Sequence, residues 1–97
     1  MTKISNFDPA EYLDDADAMA AFMNEAFATG DHKFIAKSLG AVARAKGMSS
    51  LSEETGLSRE QLYRSFGAQG NPTLKTLIAV TQALGIDLST ASHARNF

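Results

Sequence analysis

The chain of 97 residues contains no cysteine. This absence excludes a disulfide framework, a zinc site with thiolate ligands and a cysteine nucleophile, and it fits a reducing cytoplasm. The two histidines, His32 and His93, each lack a second ligand at a suitable spacing, so exposed imidazoles are expected and no metal site is predicted. No apolar run approaches the roughly 20 residues that span a bilayer. The acidic N-terminus lacks the apolar segment of a secretion signal, so we expect a cytoplasmic protein without membrane contact.

Proline is confined to positions 9 and 72, which leaves long stretches free to be helical. The sequence has no strand-like alternation long enough to predict a strand, and it has no internal repeat. With 44% apolar and 21% charged residues, the chain is expected to form one globular domain with a modest core. Acidic residues are plentiful, yet they define neither a pocket nor a nucleophile, so neither an enzyme nor a cofactor is expected.

Charge is unevenly distributed along the chain. Residues 1–31 hold one base and seven acids, whereas residues 32–97 hold eight bases and four acids. The net charge of −2 therefore combines an acidic leader with a basic body. Such asymmetry indicates two different partners, and the alternative is that both segments are simply solvated faces.

Capping residues and apolar spacing predict five helices. The first is capped by Asp14 or Asp15 and runs to about residue 28, and the second is capped by Asp31 and runs to about residue 46. Short helices at about 49–55 and 59–67 follow, and a fifth begins at a cap and ends at Gly85, before a turn or short strand at 86–88. The fifth helix is capped by Asn71 or Thr73.

The predicted inward-facing residues are Ala16, Met19, Ala20, Met23, Ala26 and Phe27 in the first helix, Phe34 or Ile35 with Ser38, Leu39, Val42 and Ala43 in the second, and Leu74, Leu77, Ile78, Val80, Thr81 and Leu84 in the fifth.

The centre of the segment 48–84 has the spacing of a helix-turn-helix. Ser49 is placed to cap its first helix, and Gly56 ends that helix with a left-handed backbone. Ser58 caps the next helix, with Gln61 three residues on as its capping-box partner. The inward anchors are Leu51, Leu57 and Leu62.

Four polar side chains remain on the outer face of the second of these helices, where such a motif meets base edges in the major groove. Arginine there can bind guanine in a bidentate manner, and hydroxyls and N–H groups at helix N-termini suit phosphate oxygens. The alternative is a small helical bundle whose charged face is only solvated. The full predicted set of DNA-contacting residues is Ser49, Ser58, Arg59, Glu60, Tyr63, Arg64, Asn71, Thr73 and Lys75.

The run from Gly47 to Leu84 resembles the helix-turn-helix of phage-repressor and Cro-like (XRE-like) regulators. The pieces GLSREQLY at 56–63 and GNPTLKTL at 70–77, with FDPAEYLDD at 7–15, narrow the resemblance to addiction-module antidote proteins, the HigA-like antitoxins. The resemblance covers about nine-tenths of the chain. It implies an all-α, five-helix, lambda-repressor-like DNA-binding domain with an extra N-terminal helix. The expected organisation is a leader at 1–13, a domain at 14–88 with the helix-turn-helix at about 49–66, and a tail at 89–97.

This resemblance also implies a function. Such an antitoxin binds double-stranded operator DNA as a homodimer, represses its own operon and neutralises a RelE/HigB-like toxin, usually a small basic ribonuclease. The acidic leader would complement a basic toxin, and the fifth helix with residues 86–88 is the expected dimer interface. The alternatives are a stand-alone transcriptional regulator without a toxin, and a protein-interaction module whose helices do not touch DNA.

Ser52 departs from the pattern, because these motifs commonly have alanine at its position. Serine is small enough to pack there, and its hydroxyl is expected to bond a carbonyl one turn back.

Overall fold

The computed structural model describes residues 13–92, and this part of the chain contains five α-helices and no β-strand. The helices are α1 (Ala16–Ala28), α2 (His32–Lys46), α3 (Met48–Thr55), α4 (Arg59–Ser65) and α5 (Leu74–Leu84). The prediction of an all-α domain with five helices is confirmed. Most of the leader, residues 1–12, and the end of the tail, including His93, lie outside the described residues.

Four helices begin at a side-chain cap, as the sequence predicts. Asp15 accepts a hydrogen bond from the N–H of Ala18 at 2.7 Å, and Asp31 accepts one from the N–H of Lys33 at 3.0 Å. Ser58 and Thr73 cap α4 and α5 in the same way. Each such bond satisfies an orphan donor of the first turn and contributes about 1 kcal/mol. Of the alternatives that the sequence leaves open, Asp15 rather than Asp14 and Thr73 rather than Asn71 are the caps.

Helix α3 begins without a side-chain cap. Its N-cap is Gly47, which also ends α2 and has a φ of 108°. The prediction that Ser49 caps this helix is wrong, because the helix starts at Met48 and places Ser49 inside its first turn, exposed to solvent. The positive φ of Gly47, which glycine adopts readily, lets the chain pass from one helix to the next through a single residue.

The core is built around α2, against which α1, α3 and α5 pack. The middle of α2 is almost wholly buried, and α4 reaches the core through Leu62 and, just after its last turn, Phe66. Leu13, the first residue that the structure describes, also contributes to the core and is 5% exposed. The buried apolar cluster consists of Leu13, Met19, Met23, Ala26, Leu39, Val42, Ala43, Met48, Leu51, Leu62, Phe66, Val80, Leu84 and Ile86.

Three residues predicted to face inward do not. Ala16 is exposed at the start of α1, and Leu74 and Ile78 on α5 are 68% and 40% exposed. Of the two alternatives on α2, Ile35 packs against the core, while Phe34 is 46% exposed. The apolar stripe of α5 is therefore wider than the surface that α2 and α3 cover, and its outer edge is left in solvent.

Candidate nucleic-acid interface

The turn between α3 and α4 is held by side chains of α3. Gly56 has a φ of 77°, and its N–H donates to the carbonyl of Ser52 at 2.9 Å. The hydroxyl of Thr55 donates to the carbonyl of Leu51 at 2.7 Å and accepts from the N–H of Leu57 at 3.2 Å. The hydroxyl of Ser52 donates to the carbonyl of Leu57 at 2.6 Å. Both backbone polar groups of Leu57 are thus bonded to α3, which fixes the direction in which the chain enters α4.

The hydrogen-bond partner predicted for the Ser52 hydroxyl is therefore wrong. The hydroxyl does not bond a carbonyl one turn back but reaches forward to Leu57, five residues later. The alternative partner is available only because the turn at Gly56 brings the chain back over α3. Ser52 consequently stabilises the turn, by roughly 1 kcal/mol for a neutral hydrogen bond of this kind.

Inward anchors set the face that α4 presents. Leu51 and Leu62 are both 0% exposed, and the half-buried Leu57 packs against the same core. Because Leu62 lies at the middle of a seven-residue helix, the residues on the opposite side must face solvent. Arg59, Glu60, Tyr63 and Arg64 are indeed all exposed, and Tyr63 is 52% exposed.

Ser58 forms the first half of the predicted capping box. Its hydroxyl accepts from the N–H of Gln61 at 3.0 Å. The return bond from the Gln61 side chain to Ser58 is not among the hydrogen bonds of residues 13–92. Gln61 is exposed, so its side-chain amide faces solvent.

A groove of about 320 Å³ brings the end of α4 together with the start of α5. Gln61 and Arg64 line one side, and Asn71 and Thr73 line the other. Three of the predicted contact residues are thus neighbours across one groove, although they are up to nine positions apart in the sequence. Ser49 on α3 and Lys75 on α5 are exposed but do not line it.

The loop between α4 and α5 lies tightly against the end of α4. The N–H of Gly70 donates to the carbonyl of Gly67 at 2.9 Å. A Cβ built on Gly70 would overlap the carbonyl group of Ser65 and would lie 2.6 Å from the carbonyl oxygen of Arg64. Only glycine lets the chain pass so close to this helix end, and this passage places Asn71 beside α4.

Within residues 13–92, no carboxylate forms an ion pair with the cations of this surface. The described residues contain one recorded ion pair, between Lys46 and Glu54 at 3.6 Å, and it involves none of the predicted contact residues. The side chains of Arg59, Arg64 and Lys75 are therefore free of ion pairs within residues 13–92. Exposed arginines without a partner carboxylate are suited to binding an external anion, and arginine matches phosphate and base edges with its planar fork of donors.

Residues 13–92 contain no group of three or more metal-ligating side chains, and none of the five helices is long and apolar enough to cross a membrane.

Comparison with known proteins places the chain in a family. Residues 3–92 match the sequence profile of a family described as "probable addiction module antidote protein". An uncharacterised protein of Haemophilus influenzae is 34% identical to the chain over 84 residues, which cover 87% of each of the two chains. No solved structure matches the chain.

Proposed function

The chain belongs to the family of probable addiction module antidote proteins, and we propose from this premise that it is a DNA-binding antitoxin. In this proposal it neutralises a RelE/HigB-like toxin in the cytoplasm, represses its own operon as a homodimer, and is not an enzyme. Membership of an antidote family implies a toxin partner of some kind. The observation that supports DNA binding is the α3–α4 unit, whose buried leucines orient α4 and leave its polar side chains unpaired in solvent.

In the proposed complex, α4 lies in the major groove. Seven helical residues span about 10 Å, which is compatible with a groove about 12 Å wide. Arg59 and Arg64 bind guanine edges or adjacent phosphates, and Glu60 accepts from cytosine or orients an arginine. Tyr63 contacts a thymine methyl group or donates to a phosphate. The hydroxyls of Ser49, Ser58 and Thr73, with Asn71 and Lys75, bind the backbone on either side.

Gel-shift titration on the promoter DNA tests this assignment. Each arginine that reads a guanine contributes roughly 1–3 kcal/mol of discrimination, so Arg59→Ala with Arg64→Ala should reduce the preference for the promoter over random DNA by at least tenfold. Lys75→Ala is the matched control, because loss of a phosphate contact weakens binding to all sequences about equally. If the double arginine variant keeps the affinity and the sequence preference of the parent, α4 is not the reading helix.

The acidic N-terminal part of the chain is the proposed toxin-facing element. The described part of it already exposes Asp14, Asp15, Asp17 and Glu25, and a small basic ribonuclease would be complementary to this charge. Co-expression with the neighbouring reading frame, scored by growth rescue and co-purification, tests the pairing. A variant in which Asp14, Asp17 and Glu25 are replaced by the neutral amides should still shift DNA but lose rescue. The absence of any toxic frame beside this one would favour the second candidate, a stand-alone regulator.

The proposed dimer interface is the apolar strip, which we define as Leu74, Ile78 and Leu88. These side chains are 68%, 40% and 43% exposed, and they line one groove of about 390 Å³ together with Ile86. A second copy is the occupant that the DNA proposal requires, because one α4 covers only a half-site and a two-fold axis pairs two of them. The strip begins beside Thr73, so a dimer across it would keep both contact surfaces close to the symmetry axis.

The oligomeric state can be measured by light scattering after gel filtration. Ile78→Glu places a charge in the strip and should give a monomer with strongly weakened promoter binding. Phe34→Glu is the matched control for the oligomeric state alone, since Phe34 is similarly exposed at 46% but lies on α2, outside the strip. A parent protein that is monomeric at the concentrations that shift DNA, or a dimeric Ile78→Glu variant, would place the interface elsewhere.

A further inference from the structure

A stripe of cations runs along α2. We define the α2 stripe as Lys33, Lys37 and Arg44, which occupy positions i, i+4 and i+11 and therefore lie within about 40° of one another around the helix. All three are exposed. Lys33 and Lys37 have no ion pair among residues 13–92. Their nearest acid along the chain, Asp31, uses its carboxylate to accept hydrogen bonds from backbone N–H groups at the start of α2.

The α2 stripe borders the end of α4. Gly40, between the lysines and Arg44, has no side chain, and a Cβ built there would lie 3.3 Å from the carbonyl oxygen of Phe66. The guanidinium of Arg44 lies over the same point, with Nη1 at 3.8 Å. The glycine thus lets the chain immediately after α4 approach α2 directly, so that the stripe and the end of α4 are adjacent.

One loop separates the stripe from the proposed reading surface. Lys33 and Lys37 line a groove of about 440 Å³ with Gly67 and Ala68, the first residues of the α4–α5 loop. Gln69 and Gly70 of the same loop border the groove that contains Arg64. Lys33 and Lys37 therefore lie on one side of residues 67–70 of this loop, and Arg64 lies on the other side. No feature of the reading surface described above makes use of the cations on the α2 side.

We propose that the α2 stripe binds DNA phosphates that flank the site read by α4. The inference rests on the proposed DNA-binding function and adds a contact surface to it. Lys33 and Lys37 are one helical turn apart, about 6 Å along the axis, so their long side chains can reach neighbouring phosphates of one strand. The lysines are flexible point charges, so their contribution is independent of base sequence.

The test is the salt dependence of DNA binding for the full chain. Each phosphate contact contributes a slope of about −0.9 to the plot of log affinity against log salt concentration. Lys33→Gln with Lys37→Gln should therefore make the slope shallower by about 1.8 for each bound protomer, on promoter and random DNA alike. The ratio of promoter to random affinity should stay within about twofold of the parent value. Lys33→Arg with Lys37→Arg is the matched control, because it keeps both charges and should keep the slope.

The outcomes separate this inference from the function it rests on. A parent that does not bind DNA, or whose binding ignores Arg59 and Arg64, contradicts both. A parent whose binding requires these arginines, with an unchanged slope in the glutamine variant, contradicts the α2 stripe alone. If that variant also fails to co-purify with the toxin, the stripe docks an acidic protein segment instead of DNA. Circular dichroism of each variant verifies that the helical content is retained.

Discussion

Gly70 is the position where the smallest change should have a large effect. Replacing it with alanine adds one methyl group, which would overlap the Ser65 carbonyl and lie 2.6 Å from the carbonyl oxygen of Arg64. Both obstacles are backbone atoms at the end of α4, so no side-chain rotation relieves the overlap. The α4–α5 loop must move by roughly 1 Å. Overpacking of this kind costs typically 1–3 kcal/mol. We expect the upper end of that range, because helix backbone yields less than side chains do.

Two other glycines provide a graded comparison. A Cβ on Gly67, in the same loop, would lie 3.0 Å from the Tyr63 carbonyl oxygen, which a shift of a few tenths of an ångström can relieve. Gly56 has open space around it, but its φ of 77° disfavours any other residue by about 1–2 kcal/mol. The destabilisation by alanine should therefore be largest at Gly70, intermediate at Gly56 and smallest at Gly67.

Urea unfolding followed by circular dichroism, at one fixed protein concentration, measures the free energy of unfolding of each variant. A loss of about 3 kcal/mol at Gly70 corresponds to a decrease of about 12–24 °C in Tm for a domain of this size. The reasoning about the α4–α5 loop is refuted if Gly70→Ala unfolds within about 0.5 kcal/mol of the parent, or is more stable than Gly67→Ala. Where the variant stays folded at low temperature, the displaced loop should also weaken promoter binding, because Asn71 and Thr73 follow it directly.

Three further substitutions test separate elements by the same unfolding measurement. Ser58→Ala removes the cap of α4 and should lower the free energy of unfolding by about 1 kcal/mol. Ser49→Ala should lower it by less than about 0.5 kcal/mol, since Ser49 caps no helix. Equal effects of the two substitutions would contradict the assigned start of α3. Ser52→Ala leaves the Leu57 carbonyl without its 2.6 Å bond and should cost about 1 kcal/mol, and a neutral result would remove Ser52 from the account of the turn. Leu62→Ala opens a cavity at a side chain that is 0% exposed and should cost about 2–5 kcal/mol, and a loss below 1 kcal/mol would show that Leu62 does not anchor α4.

The sequence predicted the parts of the fold that depend on nearby residues. The caps at Asp31 and Ser58 and the left-handed Gly56 each involve partners within three or four positions, and all are present. The outer face of α4 followed from the single inward anchor Leu62. These features are local consequences of hydrogen bonding and periodicity, so they can be recognised without knowing what packs against them.

Other features depend on contacts that periodicity does not contain. Leu74 and Ile78 have the spacing of buried residues, but whether a stripe is covered depends on the width of the neighbouring helices. The partner of Ser52 lies across a turn whose path is set by Leu57, and the approach of Gly70 to the end of α4 is visible only in three dimensions. The position of the α2 stripe beside α4 could not be predicted from the sequence, because the two meet through Gly40, a residue without a side chain.

The brevity of α4 has a consequence for how this protein can change. Isolated helices shorter than about 12–15 residues are marginal in water, so a seven-residue helix exists because the domain holds it in place. Its retention depends on the cap at Ser58 and the anchors at Leu62 and Phe66, whereas Arg59, Glu60, Tyr63 and Arg64 are exposed. The residues that hold α4 in the fold are thus different from those to which the proposed recognition is assigned. Under the proposed function, substitutions at Arg59, Glu60, Tyr63 or Arg64 should alter DNA preference while the scaffold that presents them stays intact.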